Sequence, residues 1–312
     1  YCAGHLIEGA VAYYEATGKR KFLDVMCRYA DHIDSVFGAD SGKKRGYPGH
    51  EELELALVKL YHTTGNDRYL KLSKYFVDER GQQSYYFDIE AKERGEDLNH
   101  VLRRDVQKRN YLPAGPFAQF QAHLPVREQT AAIGHAVRAM YLYSGMADVA
   151  AEAGDKSLLA ACERLWKNVT ERQMYVTGGV GPTAEGERFT FDYDLPNETA
   201  YNETCAAIGL VFWAHRMLQF DGDGKYADIM ERALYNGVMS GISLDGNKFF
   251  YANHLEVCPE VYKFGSVATN VRMLPVRQEW FDCACCPPNI ARLISSLGQY
   301  IWRTAGRRQQ SS

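Results

Sequence analysis

Apolar residues recur at three- and four-residue spacing along residues 6–18 and stop at Gly18, a natural helix terminator. A second helical run follows over residues 22–36. The same grammar returns at 53–65 with an offset of 47, setting Thr17-Gly18 against Thr64-Gly65 and Phe22-Leu23 against Tyr69-Leu70. It recurs faintly at 135–154, continued from 158, and more clearly at 206–222, where Gly222-Asp223-Gly224-Lys225-Tyr226 mirrors Gly65-Asn66-Asp67-Arg68-Tyr69. A fifth run opens at Asn289 without a second helix to close its hairpin. A hairpin of this kind buries its apolar face only by stacking on neighbours, so the repetition predicts a helical solenoid or a closed helical toroid.

Three irregular stretches separate the hairpins, and such connections are where functional side chains are usually displayed. Residues 77–128 are polar and Tyr-rich. Residues 175–202 carry a Gly-rich turn, then Glu185-Gly186-Glu187, then the alternation Phe189-Thr190-Phe191-Asp192-Tyr193. Residues 248–257 read as a strand.

Composition narrows the classes. The net charge of −3, with no polybasic run, excludes nucleic acid as an expected partner, and no apolar window reaches membrane-spanning length. The eight cysteines are too sparse for a disulfide scaffold, yet five of them fall between Cys205 and Cys286, which favours metal or thiolate chemistry. Free thiolates suit a reducing compartment, but a bound metal protects them too, so the compartment stays open.

The chemistry gathers at Glu203-Thr204-Cys205 and at Cys283-Ala284-Cys285-Cys286-Pro287-Pro288-Asn289. A soft divalent metal favours thiolates and accepts a carboxylate beside them. Residues two apart on a helix point about 200° from one another, so Glu203 and Cys205 must sit at or before a helix start to share an ion. A residue before proline is pushed out of helical geometry, which places Cys285 and Cys286 on an extended segment before a helix beginning near Asn289. The plainer alternatives are an exposed first-turn acid at Glu203, a buried apolar role for Cys205, a saturated structural zinc site, or a disulfide through Cys283. Glu187, on a turn beside the Gly-rich loop, is either a solvated acid or the proton donor of a cleft. His5, His50 and His135 stand near the N-terminal ends of three hairpins, as if lining one rim.

Taken together, Tyr1-Cys2-Ala3-Gly4-His5, Pro48-Gly49-His50, His123-Leu124-Pro125-Val126-Arg127-Glu128, Gly186-Glu187, Glu203-Thr204-Cys205 and Cys285-Cys286-Pro287-Pro288-Asn289 resemble glycoside hydrolase family 127, the β-L-arabinofuranosidases and their relatives. The resemblance implies a mainly α fold, an (α/α)6 helical toroid with a few short strands in its loops. It is incomplete here: residues 1–302 would form a partial catalytic barrel and 303–312 an atypical tail, without the family's N-terminal segment and C-terminal β-sandwich domains. The same resemblance implies Zn2+ held by Glu203, Cys205, Cys285 and Cys286. Cys285 would also be the nucleophile of a retaining hydrolysis through a thioglycosyl intermediate, and Glu187 the acid and base. His5, His50, His135 and Tyr251 would touch the sugar, the terminal β-L-arabinofuranose of an oligosaccharide or glycoconjugate. Dimerisation through the missing domains is a further implication, as is inactivity or instability of the 312 residues alone. The rival readings are another sugar on the same machinery, a toroidal sugar epimerase using histidines, and a non-catalytic carbohydrate-binding protein stapled by structural zinc.

Overall fold

A computed structural model of the protein describes residues 1–96, 114–264 and 272–301; the atypical tail 303–312 and part of the 77–128 stretch lie outside them. Four hairpins run through the chain in order. They are α1 (Cys2–Thr17) with α2 (Lys21–Val36), and α3 (Leu53–Thr64) with α4 (Asp67–Glu79). After α5 (Tyr86–Arg94), a helix within the Tyr-rich stretch, come α6 (Ala136–Ala153) with α7 (Lys156–Asn168), and α8 (Thr204–Asp221) with α9 (Gly224–Arg232). A short α10 (Pro259–Phe264) precedes α11 (Cys286–Ser295) and the single turn α12 (Gly298–Ile301).

The first helix of each hairpin packs on the first helix of the next: α1 on α3, α3 on α6, α6 on α8, and α8 on α11. These five form the inner wall and α2, α4, α7 and α9 the outer one. The division is written in the burial pattern. Thirteen of the 18 residues of α6 and twelve of the 18 of α8 are buried, against six of 13 in α7 and one of nine in α9. The inner helices α6 and α8 are therefore apolar nearly all round, while the outer ones are amphipathic. The inner helices α1, α3, α6 and α8 each end at a glycine in left-handed geometry: Gly18, Gly65, Gly154 and Gly222, with φ of 69°, 69°, 62° and 74°. Glycine meets that geometry without a Cβ penalty, which is why the hairpin rhythm is visible in the sequence.

Where α6 and α8 cross, Gly209 lets the backbones close in: a Cβ there would lie 2.6 Å from Met140 Cβ. Gly209→Ala is expected to destabilise the fold by about 1–3 kcal/mol through overpacking, read as a lowered melting temperature.

The ends of the wall are joined through one side chain. Arg292 of α11 donates to Glu8 of α1, to Glu52 Oε1 ahead of α3 at 2.9 Å, and to the Tyr141 hydroxyl of α6 at 3.0 Å. Its guanidinium also lies 4.7 Å from the Phe212 ring of α8. Glu8 also accepts from Lys59. A second buried cation, Arg80, pairs with Glu51 and Glu54 at 2.9 and 3.0 Å. The three glutamates at the head of α3 are thus buried beside these cations, and burial still pushes Glu51 up to about 7 and Glu52 well above the usual carboxylate range.

Strand structure is slight. β1 (Gly134–His135) pairs antiparallel with β2 (Arg188–Phe189). The strand expected over residues 248–257 does not form; Phe249 and Ala252 make isolated bridges to Ile242, Gln278 and Glu203. The segment is instead docked residue by residue along the head of α8: Thr204 N donates to Tyr251 O at 2.9 Å and Thr204 Oγ1 to Phe250 O at 2.7 Å. Those bonds replace the ladder expected of a strand.

Candidate active site

Hairpin connectivity makes the inner helices run the same way, so their N-terminal ends share one rim. Each supplies a side chain there: His5 in the first turn of α1, His50 just ahead of α3, and His135, Glu203 and Cys285 as the N-caps of α6, α8 and α11. The rings of His50 and His135 lie 5.9 Å apart, and Tyr1 stands 4.4 Å from both His5 and His50. His5 Nδ1 is 3.2 Å from Glu52 Oε1.

Glu203 is extended, with φ −56° and ψ 135°, and Cys205 lies in the first turn behind it. That break in helical geometry lets a carboxylate and a thiol two residues apart face one another. Glu203 is 3 % exposed, which disposes of an exposed first-turn acid. The other half of the cluster differs from expectation. Cys285 is helical in backbone, with φ −79° and ψ −43°, and α11 begins at Cys286 rather than near Asn289. Pro287 and Pro288 occupy the first turn, where the missing N–H costs nothing, and this outweighs the steric bias on the residue before proline. The thiols therefore sit on the helix start itself, not on an extended approach to it. No disulfide forms among the described residues, so Cys283 is a free thiol.

Ligand atoms of Glu203, Cys205, Cys285 and Cys286 lie within 4.8 Å of one another. Cys205 and Cys286 sulfurs are 3.5 Å apart, Cys285 and Cys286 3.7 Å, and Glu203 Oε1 is 3.5 and 4.0 Å from Cys285 and Cys286. A tetrahedral ion with sulfurs at about 2.3 Å sets neighbouring sulfurs about 3.8 Å apart. Glu203 Oε2 is buried without a hydrogen-bond partner, as an atom awaiting an ion would be. The residues fit a metal of zinc's preferences. A second grouping, His5, Glu8 and Glu52, already holds cations instead, Arg292 pairing with both acids and Lys59 with Glu8.

Hydrogen bonds from the Cys205 and Cys286 thiols, opposed by burial and helped by Tyr251, hold the Cys285 thiol down to about 2. Burial pushes the Cys205 and Cys286 thiols up. Cys285 is thus the thiol whose surroundings most favour the thiolate, at a helix N-terminus that also favours negative charge.

Glu187 reaches the same space from the β1–β2 pairing. His135 lies opposite Arg188, which puts His135 Nε2 3.0 Å from Glu187 Oε2. The Tyr201 hydroxyl donates to Glu187 Oε1 at 2.7 Å, and Arg272 donates to that oxygen too. Burial raises this carboxyl, but His135, Tyr201 and Arg272 outweigh it and hold the group at about 2. Glu187 and Asn202, beside the two carboxylates, both have left-handed backbone at φ 51° and 43°. Non-glycine residues rarely adopt it, and such strain gathers at functional sites. Tyr251 places its hydroxyl 3.1 Å from Cys285 Sγ.

The β-L-arabinofuranosidase GH127 catalytic domain profile matches residues 1–299. The chain belongs to this family. It is 46% identical over 303 residues to the non-reducing end β-L-arabinofuranosidase of Bifidobacterium longum subsp. longum, covering 97% of this chain and 44% of that protein. A crystal structure of a GH127 β-L-arabinofuranosidase from Geobacillus stearothermophilus T6 superimposes with a TM-score of 0.90 at 60% identity, covering 98% of this chain and 46% of that one. A second solved GH127 β-arabinofuranosidase gives a TM-score of 0.79 at 44% identity, over 96% and 40% of the two chains. The chain thus spans about half the length of the GH127 relatives it matches. The mainly α architecture expected from the sequence agrees with these GH127 structures.

Three residues here escape sequence reasoning. Tyr201 stands two positions ahead of Glu203 with nothing in its spacing to mark a contact with Glu187. Arg272 and Asp282 lie outside every repeat, and their meeting depends on how the 272–285 segment folds across the rim.

Proposed function

We propose that this chain carries the catalytic centre of a zinc-dependent retaining glycosidase that releases terminal β-L-arabinofuranose. Cys285 is the nucleophile and Glu187 the acid and base. The observation that carries the reading is the pairing of a four-donor cluster at metal-binding separations with a carboxylate, Glu187, held beside it on His135 and Tyr201.

Glu203, Cys205, Cys285 and Cys286 would hold the zinc. Bound there, it would keep the Cys285 sulfur deprotonated and compact at neutral pH. In the first half-reaction the Cys285 sulfur bonds to the anomeric carbon as the bond to the leaving oxygen breaks, and that oxygen takes a proton from Glu187. In the second, water attacks the same carbon, the carbon–sulfur bond breaks back to thiolate, and Glu187 takes the water's proton. Two displacements retain the anomeric configuration. The resting geometry favours the Glu187 carboxylate, the form the second step uses. The first step uses its acid form, so His135 and Glu187 must hold one proton between them when substrate arrives.

His5, His50, His135 and Tyr251 would meet the sugar hydroxyls. Burial lowers His5 to about 4 and His50 well below its ordinary value, so both rings are neutral at physiological pH and can each donate and accept. The β-L-arabinofuranosidase names of the relatives support the sugar.

The test is hydrolysis of 4-nitrophenyl β-L-arabinofuranoside, with the anomer of the released sugar followed by NMR. Release of β-L-arabinose first supports the reading. No hydrolysis, or an α product formed directly, overturns it.

A further inference from the structure

Arg272 makes a set of contacts that the reaction scheme above leaves unused. Its Nε and Nη2 grip the two carboxylate oxygens of Asp282 at 2.7 and 3.1 Å, a two-pronged hold that fixes the plane of the guanidinium. Nη1 then reaches inward to two acceptors, Glu187 Oε1 and the Tyr251 hydroxyl oxygen, the latter at 3.1 Å. The guanidinium carbon lies 4.6 Å from the Tyr251 ring centroid. On its other side the same hydroxyl is 3.1 Å from Cys285 Sγ.

Donor and acceptor rules settle the direction of this chain. A guanidinium has no lone pair to offer, so at the Arg272 contact the Tyr251 oxygen must accept. A phenol has one hydrogen, and with its oxygen turned to Arg272 that hydrogen is left for the sulfur. We propose that Arg272, clamped by Asp282, is a positioning residue that aims the Tyr251 hydroxyl hydrogen at the Cys285 sulfur while holding the Glu187 carboxylate in place. The inference rests on the reading of Cys285 as nucleophile.

Its consequence falls on the second half-reaction. A hydrogen bond to sulfur is weak when the sulfur is bonded to carbon and strong when it is thiolate. An aimed Tyr251 hydroxyl therefore favours breaking the carbon–sulfur bond, in which the bonding pair returns to Cys285. Without that aim the covalent intermediate forms but leaves slowly.

The experiment is steady-state kinetics of Arg272→Met in the metal-loaded protein with 4-nitrophenyl β-L-arabinofuranoside, alongside intact-protein mass spectrometry during turnover. The expected result is a kcat lowered on the order of 10- to 100-fold, the range of one hydrogen bond to a charged group. KM should fall with it, and a pentosyl adduct should accumulate that is absent in wild type. Tyr251→Phe should show the same signature, and Arg272→Met/Tyr251→Phe should be no slower than Arg272→Met, because the arginine's effect on the sulfur runs through that one hydroxyl and its hold on Glu187 is already lost in the single variant. Asp282→Asn, which keeps the arginine but loosens its clamp, should show a smaller effect of the same kind and serves if Arg272→Met folds poorly. Wild-type kinetics in these variants, a fall in kcat without adduct, or effects that multiply in the double variant would overturn the inference and leave the glycosidase reading standing. Wild-type protein that cleaves no arabinofuranoside defeats the glycosidase reading itself, and the role of Arg272 with it.

Discussion

Cys285→Ser is expected to abolish turnover, with kcat lowered on the order of 10^4-fold or more, as for other nucleophiles removed from a working pair. The serine hydroxyl is similar in size but stays protonated, and it is a poorer ligand for a soft ion, so both proposed roles of the residue are lost together. Its neighbours favour a thiolate at this position: hydrogen bonds with Cys205, Cys286 and Tyr251 lower the Cys285 thiol, while burial raises the other two. Glu187→Gln provides the contrast. Glu187 is outside the four-donor cluster, so this variant should keep its metal as measured by elemental analysis. Its loss of activity should be severe for natural leaving groups and mild, in the first half-reaction, for nitrophenolate, which departs without a proton. Full activity in both variants would favour the structural-zinc reading.

Arg292→Met is expected to cost about 3–5 kcal/mol of stability, the range for breaking a buried ion pair from one side. Its removal strands Glu8 and Glu52, both buried, with Lys59 left to compensate Glu8 alone. The effect should extend to the site, because the same helix carries Cys286 at its first position and Cys285 as its cap. Asn289, one turn before Arg292, donates to the Tyr141 hydroxyl at 2.7 Å, so α11 is pinned twice to α6. Metal loss to a chelator should be faster in Arg292→Met than in wild type. Arg292→Lys should recover only part of the stability, since a compact ammonium lacks the planar fork with which Nη1 and Nη2 reach Glu8, Glu52 and Tyr141. Urea unfolding and chelator kinetics read the two effects separately.

These two positions also mark what could be read from the chain beforehand. The hairpins were legible because two local signals coincide at each: a helical apolar period and a glycine whose left-handed backbone ends the inner helix. That Glu203-Thr204-Cys205 and the Cys283–Asn289 stretch belong together was legible because thiols are rare and a metal accepts few residue types, whereas the four-residue set itself came from the resemblance to the family. The misreadings have local causes. Residues 248–257 read as a strand, yet their backbone groups are taken by Thr204, Tyr201 and Asn202 at the head of α8. The rule that a residue before proline is extended gave way at Cys286, where two prolines fit a helix start better than its approach. Arg272 and Arg292 were illegible for a different reason. An arginine has no periodicity of its own, and each acquires meaning only from acids brought near it by folding: Asp282 and Glu187 for one, Glu8 and Glu52 for the other. The left-handed backbone of Glu187 likewise has no signature in its residue type.

The most direct measurement is peptide mapping of Glu187→Gln protein quenched during reaction with 4-nitrophenyl β-L-arabinofuranoside. On the proposed mechanism the covalent step of that variant should proceed on a good leaving group while its water-activating step should be impaired, so a covalent intermediate should accumulate. The expected result is a pentosyl group on the sulfur of Cys285. A pentosyl group on a carboxylate, or burst release of nitrophenol with no adduct on the protein, would contradict it.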